Sequence, residues 1–253
     1  MATFEQPLNE RIRAFSRLEQ LNSRIRLHSQ ASSQYSWNSH VAVLLILDMY
    51  ELTSRIDLKS EVMKELERQA QVLQQFAGSN QIDSNQLSDI LEKQRAYIQQ
   101  LHEQQGQLTQ HIKTSEFLNN VRQRCAASGS ACSYDLPIYH HWLNQSHQAI
   151  QNDIQQWMQP FETTLNAIDL ILCTIRESTG FESLTAEDGF FQQALSSVRA
   201  PQLIRVKTTD NTYPEISGSK HRMSIRFFEF ASVDARPSQS TGRVNFEMAL
   251  CTI

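Results

Sequence analysis

Near Thr179-Gly180 the hydrophobic period of this chain changes, and that change fixes the fold class. Before it, apolar residues recur at intervals of three and four, the repeat of one helix face. After it they alternate, most cleanly over Val244-Asn245-Phe246-Glu247-Met248-Ala249-Leu250, the repeat of a strand with one buried face. Helices first and strands last read as α+β: an N-terminal α-helical bundle followed by a C-terminal, mainly antiparallel β-sheet domain.

In the first part, Leu8, Ile12, Phe15, Leu18, Leu21 and Ile25 share one helix face, with Asn9 as N-cap. A helix over 39–53 is apolar around most of its surface and is expected at the centre. The next, over 58–76, carries Leu58, Val62, Leu66, Leu73 and Phe76 on one side, and Gly78-Ser79-Asn80 breaks the pattern. A long helix over 84–112 would measure about 40 Å, with Gly106 placed to bend or interrupt it. Helices over 116–127, 137–143, 146–158 and 161–177 follow, with Pro160 between the last two. Asp135 reads as the N-cap ahead of Pro137. Strands are expected over 190–195, 203–208, 222–230 and 244–251. Asp210-Asn211, Ser217-Gly218-Ser219 and Arg236-Pro237-Ser238 read as the turns between them.

Composition narrows the function. The 253 residues are 40% hydrophobic, enough for one substantial core or two smaller ones. The net charge of −4 argues against broad nucleic-acid or membrane-surface binding. From Ala200 onward, however, 7 Lys/Arg stand against 5 Asp/Glu, so the strand region is slightly basic. Cys125, Cys132, Cys173 and Cys251 form no Cys-x-x-Cys pair and read as ordinary thiols. The apolar run Val41 to Met49 is too short to span a bilayer, and the N-terminus lacks a signal-peptide layout. A reducing cytoplasm and no direct membrane insertion are the expectation.

Catalytic signatures are missing. The chain has no Gly-x-Gly-x-x-Gly, no phosphate loop and no Gly-x-Ser-x-Gly elbow. Ser133, Asp135 and His140 form a dense polar cluster, but three residues within eight positions seldom take up triad geometry, and a helix start explains them better. His140 and His141 are adjacent and point about 100° apart on a helix, so with His147 they do not converge on a metal. No catalytic residue, metal or cofactor is expected.

One segment stands out. In the strand after Ser219, Lys220, Arg222, Ser224 and Arg226 share one side, and Met223, Ile225 and Phe227 the other. The two arginines stand roughly 13 Å apart along such a strand. A solvated outer face is the plain explanation of such a ridge. Against it, no acidic residue interrupts the ridge to neutralise it, and arginine's planar fork suits carboxylate recognition.

Motifs spread along the chain resemble the ZapD family. They are Phe4-Glu5-Gln6-Pro7-Leu8-Asn9-Glu10-Arg11, Val121-Arg122-Gln123-Arg124, and Cys132-Ser133-Tyr134-Asp135-Leu136-Pro137 with His140 and Trp142-Leu143. Further on come Gly189-Phe190-Phe191-Gln192, Pro214-Glu215-Ile216-Ser217-Gly218, Lys220 with Arg222, Ile225-Arg226-Phe227, and Phe246-Glu247-Met248-Ala249-Leu250-Cys251. The resemblance implies a cell-division protein recruited to mid-cell, a homodimer that holds the C-terminal tail of FtsZ and bundles its filaments. It implies a helical dimerisation domain over 9–180 and a strand domain for partner binding over 181–253, joined by a returning N-terminal segment, about 1–8. By position it assigns partner binding to Arg222 and Arg226, with Lys220, Arg55 and His140. One position departs from the family, where a basic residue can stand in place of Glu116. From another class, a nucleic-acid- or nucleotide-binding regulator using the same strand remains a rival.

Overall fold

The computed structural model describes residues 2–30, 37–75, 84–125, 132–196, 200–208, 211–219 and 221–253. The fold is α+β, with helices first and antiparallel sheets last. Strand β1 (Ala2–Pro7) opens the chain. Helices α1 (Glu10–Gln30), α2 (Trp37–Thr53), α3 (Leu58–Gln74), α4 (Ser84–Glu103), α5 (Gln110–Thr114), α6 (Glu116–Cys125), α7 (Pro137–Leu143) and α8 (His147–Met158) follow. A 3-10 turn, Gln159–Phe161, leads into α9 (Glu162–Glu177). The remaining strands are β2 (Glu182–Ala186), β3 (Phe190–Ala194), β4 (Leu203–Thr208), β5 (Thr212–Gly218), β6 (Arg222–Glu229), β7 (Ser238–Gln239) and β8 (Val244–Cys251). Two compact units emerge: Met1–Ser16 with Ile171–Ile253, and Arg17–Leu170.

The helix starts follow local chemistry. The Asn9 side chain accepts a hydrogen bond from the Ile12 amide at 2.8 Å, capping α1 as its sequence predicts. Asp57 and Ser146 cap α3 and α8 in the same way. At α7 the expectation fails. Leu136, not Asp135, occupies the N-cap and makes no side-chain cap, and Pro137 supplies the preset first turn. The long helix expected over 84–112 ends at Glu103. Gly106 lies at φ +83°, which L residues rarely adopt, and the chain restarts as the short α5. Phe76 and the Gly78-Ser79-Asn80 break lie outside the described residues.

Within the helical unit, α2 is buried along much of its length, from Ser39 to Thr53. An aromatic cluster of Phe117, Tyr139, Trp142 and Trp157 ties α6, α7 and α8 together, with ring centroids 5.5–6.0 Å apart. The Trp142 indole N–H donates to Asp153 Oδ2 at 2.7 Å, so its one polar atom is satisfied. His40 hydrogen-bonds the Tyr139 hydroxyl at 2.8 Å, and burial lowers the imidazole pKa and raises that of the phenol.

The strand unit contains two sheets rather than one. The first has the order β1-β4-β8-β2, and the second β3-β6-β5 with β7 also on β6. All pairings are antiparallel. Their shared core includes Ile204, Val206, Phe246 and Met248 from the first sheet, and Met223, Ile225 and Phe227 from the second. Phe227 and Phe246 meet at 4.9 Å between ring centroids. The N-terminal strand does return, pairing Ala2–Pro7 with Thr208–Leu203. Glu5 fixes it chemically: its carboxylate accepts hydrogen bonds from Arg205 Nε at 3.0 Å and from Arg176 Nη2 at 2.8 Å.

Candidate partner-binding surface

Alternation along β6 sorts its side chains. Met223, Ile225 and Phe227 are at most 1% exposed, sealed in the core. Arg222 and Arg226 are exposed on the opposite face, with Ser224 half-buried between them. Neither guanidinium forms an ion pair among the described residues, and cations on a stiff strand lose little freedom when they take a partner.

Neighbouring strands complete this face. Directly across the ladder from Arg226 stand Phe190 of β3 and Glu215 of β5, and across from Ser224 stand Gln192 and Ser217. Residues opposite one another in a ladder share a face, so all of them lie with the arginines. Tyr213 and Phe228 stack at 5.7 Å and extend the surface with an aromatic end. A cleft of about 250 Å³, lined by Glu215, Ile216, Ser217, Ser224 and Arg226, opens beside the guanidinium. Its chemistry is mixed: one guanidinium fork and two hydroxyls offer donors, and one carboxylate opposes an anion.

Glu215 corrects the sequence reading. The ridge is uninterrupted along its own strand, but the adjacent strand brings a carboxylate opposite Arg226. β5 itself escaped the sequence reading because Pro214 and Gly218 look like breakers. As a sheet edge it tolerates proline, and Ser217 and Gly218 belong to the strand, not to a turn. Lys220 lies outside the described residues.

The other two expected partner residues belong to the helical unit. Arg55 follows α2, with its side chain 80% exposed and 3.7 Å from Glu51, which also holds Arg122 at 3.0 Å. Arg122 in turn lies 5.3 Å from the Tyr50 ring centroid, so it is committed within that unit. His140 is exposed on α7, and its backbone carbonyl accepts from Asn144 at 2.7 Å. Among the described residues no hydrogen bond or ion pair joins Arg55 to His140. Glu116 has a local use: it opens α6, where a carboxylate complements the positive helix terminus.

Ser133, Asp135 and His140 share no hydrogen bond among the described residues, and no three His, Cys, Asp or Glu side chains there gather in metal-binding geometry. None of the four cysteines is in a disulfide, and burial pushes the Cys251 thiol up to about 11. Among the described residues no helix is long and apolar enough to cross a membrane.

Comparison with known proteins decides the family. The family profile described as ZapD, cell division protein, matches residues 17–226. This chain belongs to the ZapD family of cell division proteins. A ZapD cell division protein of Methylococcus capsulatus is 36% identical over 252 residues, covering 99% of this chain and 98% of that protein. One of Nitrosomonas eutropha is 34% identical over 254 residues, covering both chains completely. One of Azoarcus is 32% identical over 255 residues, again covering both completely. A role in cell division follows for this chain as for its relatives.

Proposed function

We propose that this protein is a non-catalytic adaptor that dimerises through its helical unit, grips the C-terminal tail of FtsZ with the basic face of β6, and cross-links FtsZ filaments at mid-cell. The observation that carries this reading is the pair of exposed arginines, free of ion pairs among the described residues, on a strand whose other face is locked in a core. Rigid backing fixes where the cations stand, and an acidic tail supplies the carboxylates they lack.

The energetics suit a reversible cross-link. Each Arg–carboxylate hydrogen bond contributes about 1.5–3 kcal/mol when partly desolvated. Ordering a flexible tail offsets much of that, leaving roughly micromolar affinity per site. Two sites on a dimer facing a polymer gain by avidity, on the order of 10²–10⁴. In this reading Lys220, Arg55 and His140 also contribute to partner binding.

The test is filament co-sedimentation with Arg222→Glu and Arg226→Glu. Both variants are expected to keep the wild-type melting curve and lose bundling, and binding of the wild type is expected to weaken as salt rises. Normal bundling by both variants, or undiminished binding to FtsZ lacking its tail, would remove the mechanism.

A further inference from the structure

Among the described residues the second sheet has an edge beside the arginines that no further strand covers. Hydrogen bonds from the Phe227 amide to the Gly189 carbonyl and from the Leu195 amide to the His221 carbonyl, both 2.8 Å, fix the alternation of β3. Odd-numbered residues of β3 therefore face β6, and the amides and carbonyls of Gln192 and Ala194 point the other way. Among the described residues β3 pairs with no strand on that side. Phe190, Gln192, Gln193 and Ala194 are exposed. Natural edges are commonly blunted by lysine, proline or a bulge, yet Phe-Phe-Gln-Gln-Ala contains no charge and no proline.

Resting on the reading above, we infer that the acidic tail is held at this edge as an added β-strand, its outward side chains lying on the arginine face. Backbone pairing supplies affinity without regard to sequence, and alternate side chains supply selectivity. The register favours this geometry. Ala194 stands between the open edge and Arg222, so only a methyl group separates an incoming carboxylate from that guanidinium. Phe190 stands between the edge and Arg226 and offers an apolar contact to the next outward position but one, with Gln192 between. An acidic residue and an apolar residue four positions apart on an extended segment match that spacing.

The experiment measures binding of a synthetic FtsZ tail peptide by fluorescence anisotropy. Gln192→Pro removes an outward amide while the pairing of Phe191 and Gln193 with β6 persists, so the sheet is expected to stand. Its affinity is expected to fall tenfold or more, while Gln192→Ala stays within twofold of wild type. In amide exchange on the wild type, Gln192 and Ala194 are expected to slow when peptide is added, which serves even if the proline variant does not fold. A folded Gln192→Pro variant that binds normally, or unchanged exchange at both amides, overturns the edge inference. Normal binding by Arg226→Glu overturns the basic-face reading instead, so the two failures are separable.

Discussion

Arg226 sits between an attraction it offers and a repulsion its neighbour supplies. Glu215 is directly across the ladder, close enough to oppose an incoming carboxylate, yet no ion pair draws the two side chains together. Such an exposed pair is worth only about 0.2–1 kcal/mol. Glu215→Gln should therefore strengthen tail binding by roughly two- to fivefold and reduce none of the salt dependence owed to the arginines. Peptide titration at two salt concentrations checks it, and a weakened complex would mean that Glu215 positions Arg226 instead of opposing the ligand. The arginines were legible in the sequence because alternation alone places Arg222 and Arg226 opposite Met223, Ile225 and Phe227. Glu215 was not, because cross-strand register depends on a partner strand that Pro214 and Gly218 disguise.

At the scale of elements, the turn before β3 decides whether its edge exists. Asp188 and Gly189 lie at φ +50° and +63°, and the Phe190 amide closes the turn on the Glu187 carbonyl at 2.9 Å. Positive φ at both central positions is the hairpin turn that Asp-Gly favours, and here it passes the chain from the first sheet to the second. A Cβ at Gly189 would collide with the Ser240 backbone carbonyl. Gly189→Ala should cost about 2–3 kcal/mol, from the left-handed backbone and that collision. Gly180→Ala, with open space around its Cβ, should be near neutral. Urea denaturation of both variants tests the difference, and equal midpoints would show that the turn is not under this constraint. The helices lost less in the reading than this turn did. Asn9, Pro137 and Pro160 act locally, so their effects are visible in sequence, whereas α4 ends at Glu103 because the chain reverses its backbone at Gly106, which periodicity alone treats as one residue among many. β1 carries too short a pattern to announce its pairing, and its Glu5 finds Arg176 and Arg205 only after about 170 and 200 residues of intervening chain are folded.

For the whole molecule, the proposed activity depends on valence more than on the strength of either grip. A micromolar site lets go readily, and only two sites joined in one dimer hold neighbouring filaments together. Doping wild-type protein with excess Arg226→Glu should, after subunits exchange, convert most wild-type chains into dimers with a single working face. Such dimers occupy tails without cross-linking them. Bundling, followed by light scattering, should then fall further than dilution with buffer to the same wild-type concentration. Equal losses in the two mixtures would indicate that one chain suffices to bridge filaments, and that bundling comes from a second contact within each chain rather than from pairing of two.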